Sequence, residues 1–185
     1  MNQRFADVDT FRSHYLIVEG KSIGEVALGD TVNRLLPAFS SADDTAAFFT
    51  DSLTYLIQCR IANDTIRAMR LYKYDYDLLP SPFSTDRFLG IGSYMETVSA
   101  LYTPSLLWVD RVDRGLDTVD VTVVQSKGIA FVRDRYRGTI AEVFIFKAGD
   151  SLDFSKFTYK KKFLAKQRMP SGGVRPIRVP GLFFR

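Results

Sequence analysis

Between Leu106 and Phe163 the apolar positions recur every second residue. Val119, Val121 and Val123 alternate with Thr118, Asp120 and Thr122, and Ile140, Glu142, Phe144 and Phe146 alternate with Ala141, Val143 and Ile145. A period of two places successive side chains on opposite faces of a sheet. The breaks fall at Gly115, Gly138 and Gly149-Asp150, where glycine admits the positive φ of tight hairpins. The pattern predicts a curved meander of long antiparallel strands in the C-terminal half.

Upstream the period changes. Tyr15–Val18 and Ile23–Leu28, separated by Gly20-Lys21, read as a small hairpin. From Ser40 or Ser41, which can cap a helix, Ala46, Phe49, Leu53, Leu56, Ile57 and Ile61 follow at spacings near three and four. A second helix is predicted from Thr65, with Ile66, Met69, Tyr72, Tyr76 and Leu79 in its stripe and Pro80 and Pro82 as its stop. A third is expected from Ile91 to Tyr102, burying Tyr94, Met95, Val98 and Leu101 and ending before Pro104. The expected fold class is therefore α+β: about three N-terminal helices packed on a curved antiparallel sheet. The expected division is a lead-in and hairpin over 1–39, an α+β domain over 40–163, and an extended basic arm over 164–185.

Charge sharpens the picture of the arm. The chain has 185 residues and a net charge of +4, but from Ser155 onward there are nine basic residues and no acid. Sixteen basic and twenty-one acidic residues precede it, a net charge of −5. A tail of one sign seeks a partner of the other. Its end, with Val179, Leu182, Phe183 and Phe184, is apolar and suits docking on another surface. The expected partner-binding residues are Lys160, Lys161, Lys162, Arg175, Arg178, Leu182, Phe183 and Phe184. The partners they suit are other copies of the chain, other subunits of an assembly, an acidic protein surface, or nucleic acid. The lysines lie beside Tyr159 and Phe163, the pairing of phosphate contact with ring stacking that nucleic acid requires.

Catalytic chemistry is sparse. His14 is the sole histidine, which rules out a histidine-rich metal site and sets the ring far in sequence from every candidate acid. Gly90-Ile91-Gly92 lacks the third glycine and the preceding strand of a dinucleotide loop. No cofactor is expected. Cys59 is the only cysteine, so no internal disulfide forms. No apolar run approaches the ~18 residues of a membrane span, and the first fifteen residues contain no apolar stretch of the signal-peptide kind. Asp110, Asp113 and Asp120, with Tyr94, are the candidate acid–base residues. The alternation of acids and arginines in VDRVDRG and VRDRYRG reads more simply as cross-strand ion pairs.

Two resemblances follow. The run from FLGIGSYMETVSALYTP through LLWVDRVDRG to EVFIFKAGDSLDFSKF resembles the cone-shaped nuclear-transport-factor-two-like superfold. Its SnoaL-like members imply dehydratase or isomerase chemistry on a small apolar substrate, with Asp110 or Asp120 and Tyr94 in the cone. HYLIVEGKSIGEVALGD and FFTDSLTYLIQCRIANDTIRAMRLYKYDYDLL resemble the TrbF-like and TraK-like (VirB-family) conjugation proteins of type IV secretion. That second resemblance implies a noncatalytic, oligomerising scaffold component at the cell envelope, and it is the favoured expectation. A nucleic-acid-associated structural subunit is a further alternative.

Overall fold

The computed structural model describes residues 14–31, 45–49, 55–73, 81–102, 107–113 and 118–157, the strands at 45–49 and 107–113 by their backbone. The predicted arm, with Lys160, Lys161, Lys162, Arg175, Arg178, Leu182, Phe183 and Phe184, lies outside these residues.

Eleven strands are present among them. β1 (Leu16–Val18), β2 (Ser22–Ile23), β3 (Val26–Ala27) and β7 (Ser84–Thr85) form a small sheet in the order β3-β2-β1-β7, with β1 and β7 parallel. β4 (Thr45–Phe49), β5 (Tyr55–Ala62), β6 (Thr65–Lys73), β8 (Leu107–Asp113), β9 (Thr118–Val124), β10 (Ile129–Arg133) and β11 (Ile140–Phe146) form the large one. Its order is β4-β5-β6-β11-β10-β9-β8, and it is antiparallel throughout. One two-turn helix, α1 (Met95–Tyr102), lies between β7 and β8.

This corrects the expectation of three helices on a sheet. Within the described residues, the stretches read as the first two helices are β4–β5 and β6, and Leu53, Tyr76, Leu79 and Pro80 lie outside those residues. The reason is burial on both faces. The small sheet and α1 cover one face, where Ile17, Ile23, Phe83, Leu89, Val98 and Tyr102 pack on Ile57, Met69, Leu71, Phe131, Val143 and Ile145. The turn of 3-10 helix Phe154–Phe157 covers the other, with Phe154 and Phe157 on Val121, Ala130 and Phe144. A strand buried on both faces carries a near-continuous apolar run instead of a clean alternation, and YLIQCRIA then fits a helical stripe by coincidence. Asn63-Asp64, read as a helix break, is a two-residue hairpin turn with φ of 52° and 57°, joining Ala62 to Thr65.

The third helix is real but shorter than expected. Val98 and Tyr102 are buried, whereas Tyr94 and Leu101, expected inside, are exposed. The run from Asp117 to Arg137, read as one strand, breaks at a 3-10 turn, Gln125–Lys127, closed by Gly128. Residues 151–157, read as strand, instead lead into the 3-10 turn beneath the sheet.

The chain also repeats itself. Gly29 N–H donates to the Ile66 carbonyl and Ile66 N–H to the Asp30 carbonyl; Gly92 N–H donates to the Ile140 carbonyl and Ile140 N–H to the Ser93 carbonyl. Asp30 Oδ2 accepts from Ala27 N–H, and Ser93 Oγ accepts from Gly90 N–H. Single bridges follow at Thr31–Thr65 and Tyr94–Thr139. Both glycines hold left-handed φ, 86° and 94°. Residues 27–31 and 90–94 are thus equivalent, each leading to a final hairpin, β5–β6 in the first unit and β10–β11 in the second. The units meet where β6 pairs with β11, in a register centred on Arg70–Phe144: Tyr72 faces Glu142 and Ala68 faces Phe146. Antiparallel pairing of equivalent strands about one central pair is what a local two-fold axis produces. If the two corners are equivalent, Gly29→Ala and Gly92→Ala should cost the same. Neither added methyl meets an atom within 4 Å, so each loses only about 1–2 kcal/mol of left-handed backbone strain. Denaturant titration would show it, and a large difference between the two would break the equivalence.

Candidate functional site

Among the described residues, the most fully buried polar side chain lies at the centre of that axis. Arg70, on β6, is fully buried. Its Nε and Nη2 donate to the two carboxylate oxygens of Glu142 on β11, at 2.7 and 3.0 Å. Nη1 donates to the Phe157 carbonyl at 2.6 Å and to Gln58 Oε1 on β5 at 3.3 Å. The guanidinium lies over the Tyr72 ring, 4.4 Å from its centroid. Strand register builds this cluster, since Gln58 stands directly opposite Arg70, and Glu142 lies two places along β11 from Phe144, the residue opposite Arg70. Bidentate geometry and two further acceptors are what a buried guanidinium needs. What the arrangement does is tie three strands to the carbonyl of Phe157. Glu142 carried a signal for it, being a carboxylate on the same parity as the buried Phe144 and Phe146; Arg70 did not, because its segment read as helix.

A second buried group is Tyr102 at the end of α1. Its hydroxyl donates to Glu19 Oε1 at 2.6 Å, and the Arg87 guanidinium stands over its ring at 5.0 Å. Burial pushes the phenol well above its usual range, and the bond to the Glu19 carboxylate adds to the shift. Burial also pushes the Cys59 thiol upward, with the Asp30 carboxylate contributing. Both groups are held neutral, which suits structural packing and opposes thiolate or phenolate chemistry.

The candidate acids are not brought together. Asp110 stands opposite Val121, whereas Asp120 stands opposite Arg111 and is Val121's neighbour along β9. Adjacent residues alternate faces, so the register positions of Asp110 and Asp120 lie on opposite sides of the sheet. Asp113 pairs with Thr118 at the strand end. Tyr94 is exposed at the rim, beside Thr139. For VDRVDRG the register sets Arg111 and Asp120 at directly opposed positions. In VRDRYRG the acid closes the turn instead, since Asp134 Oδ1 accepts from Tyr136 N–H at 2.8 Å and from Arg137 N–H at 3.2 Å. His14 Nδ1 lies 2.9 Å from Glu25 Oε1 at the surface. Among the described residues no cluster of three or more metal-ligating side chains occurs.

No family model matches the chain, and no curated protein does. Among solved structures, a cysteine-rich secretory protein from Staphylococcus aureus matches 65% of this chain at 8% identity, with a TM-score of 0.37. The chain spans 44% of that protein's length. Likeness of this degree assigns neither fold nor activity. The nuclear-transport-factor-two-like and TrbF-like resemblances are corrected by the architecture itself: a large sheet with a single two-turn helix among the described residues is not a helix-on-sheet cone. Among these residues no helix is long and apolar enough to cross a membrane.

Surface features remain. An open groove of about 210 Å³ at one end of the large sheet is lined by Arg60, Arg67 and Lys147, but also by Asp150 and Asp153. At the β10–β11 turn, Tyr136 is fully exposed between Arg135 and Arg137. Phe88 is 76% exposed at a φ of 61°, a conformation that bulky side chains rarely adopt.

Proposed function

We propose that the chain is a noncatalytic structural subunit of a larger assembly, joined to other copies or other subunits through its basic C-terminal arm. The observation that carries this reading is the anchorage of the segment leading to the arm. Arg70 at the centre of the sheet grips the Phe157 carbonyl, and the Phe154 and Phe157 rings pack edge-on against Phe144. A tether meant to bear load gains from a root fixed in the core. The charge contrast between an acidic body and a basic arm supports docking on a neighbouring copy. Burying Leu182, Phe183 and Phe184 in a partner would contribute about 1.5–3 kcal/mol each before ordering costs.

The test is native mass, for the full chain and for Leu182→Ser/Phe183→Ser/Phe184→Ser, both purified over a range of concentrations and in gentle extracts of the source cells. The full chain is expected in a species heavier than the monomer, and the triple variant is expected to leave it while keeping the same Tm. A strict monomer in both settings, unaltered by the substitutions, would overturn the reading.

A further inference from the structure

We propose that the tip of the β10–β11 hairpin, Arg133 to Arg137 together with Tyr94, binds single-stranded nucleic acid, reading it by ring stacking and phosphate contact. The internal repeat isolates this feature. The equivalent hairpin of the first unit, β5–β6, closes with two residues, Asn63 and Asp64. That turn shows how little chain the hairpin needs. The second unit closes with a turn two residues longer, 135–138 between Asp134 and Thr139, and it holds Arg135, Tyr136 and Arg137. At the paired corner position the first unit has Thr31 and the second has Tyr94. The two units therefore differ at one place by two aromatic rings and two arginines.

None of these residues serves the core. Tyr136 is 100% exposed and Tyr94 67%. Among the described residues, no carboxylate forms an ion pair with Arg133, Arg135 or Arg137. Asp134, the one acid in the loop, spends its Oδ1 on the turn's own N–H groups. The platform is nevertheless well held. Gly138 N–H donates to the Asp134 carbonyl, Asp134 N–H to the Thr139 carbonyl, and Met95 N–H to the Gly138 carbonyl, which ties the tip to the start of α1 beside Tyr94. A rigid display of exposed rings among cations loses little on binding.

Charge selects an anionic partner, and the rings select among anions. Tyrosine stacks on any base, because every base has a π-face, while the arginine fork matches phosphate oxygens. Glu96, exposed on the first turn of α1, bounds the patch on one side. The proposal uses no residue of the arm, so its failure would leave the assembly reading standing.

The experiment is fluorescence anisotropy of the full chain with a labelled single-stranded oligonucleotide of about a dozen nucleotides, at about 0.15 M salt. Tyr136→Ala is expected to weaken binding about tenfold, the scale of one lost stacking partner. Tyr136→Phe should bind like the wild type, because the ring and not the hydroxyl is used. Arg135→Glu/Arg137→Glu should weaken binding further and flatten its salt dependence. Circular dichroism and Tm should be unchanged in all three, the side chains being in water. Absence of oligonucleotide binding, or equal binding by Tyr136→Ala, would overturn the proposal, the latter assigning any affinity to the arm. Tip-dependent binding to phosphatidylserine-containing vesicles without oligonucleotide binding would overturn it in favour of a membrane surface.

Discussion

Glu142→Leu is expected to remove about 3–5 kcal/mol of stability, the range for stranding one charge of a buried pair. The carboxylate accepts two of the guanidinium's N–H groups, and its loss takes from Arg70, 0% exposed, its bidentate carboxylate, while the neutral acceptors at Gln58 and Phe157 stay in place. Such a loss is a large part of the ~5–15 kcal/mol that holds a domain together. The partner experiment is Arg70→Met/Glu142→Leu. With both charges gone, methionine and leucine meet an apolar surround of Ala68, Ala130, Phe144 and Phe157, and Phe144 already occupies the position equivalent to Arg70 in the second unit. The double variant should therefore recover at least half of the single variant's loss, as measured by urea denaturation. Additive losses would mean that Arg70 and Glu142 are not coupled, and that the guanidinium is held mainly by Phe157 and Gln58.

Gly128→Ala is the second large effect, with about 3–5 kcal/mol expected from two costs acting together. Gly128 closes the 3-10 turn between β9 and β10 at a φ of 68°, where a side chain adds backbone strain. Its added methyl would also run into the Phe146 carbonyl oxygen, the Ala148 nitrogen at 2.8 Å and the Gly20 Cα at 2.9 Å. All three are backbone, so none can rotate away. The contact is part of the architecture, because Phe146 N–H donates to the Gly128 carbonyl there and the Gly20 turn of the small sheet rests on it. Gly149→Ala is the control: its φ is 86°, but nothing lies within 4 Å of the new methyl. It should lose only the strain, about 1–2 kcal/mol. Equal losses at the two positions would show that the close approach contributes nothing.

Some of this was legible in the chain. The alternation in β9 and β11 set those strands, and Gly138 marked the loop between β10 and β11. Pro104 marked the end of α1. Other signals were present but ambiguous. Asn63-Asp64 suits a two-residue hairpin turn as well as a helix break, and only the pairing of Ala62 with Thr65 separates the two. The Leu28-Gly29-Asp30-Thr31 and Ile91-Gly92-Ser93-Tyr94 corners share little beyond one glycine and a short polar acceptor. Their equivalence shows in the hydrogen bonds, not in the residue names. The placement of Asp110 and Asp120 on opposite faces likewise needs the register of β8 on β9.

By itself the sequence determined local matters: where the chain must turn, which short runs alternate, and which end is basic. Those follow from φ preferences, side-chain period and charge, which act between near neighbours. The tertiary structure alone decided that residues 55–73 are strand but for the two-residue turn, that two units meet at Arg70 and Phe144, and that Arg70 is Glu142's partner. A doubly buried strand loses the alternation that would announce it, and pairing between residues seventy-two positions apart is a property of the assembled sheet, not of any segment within it.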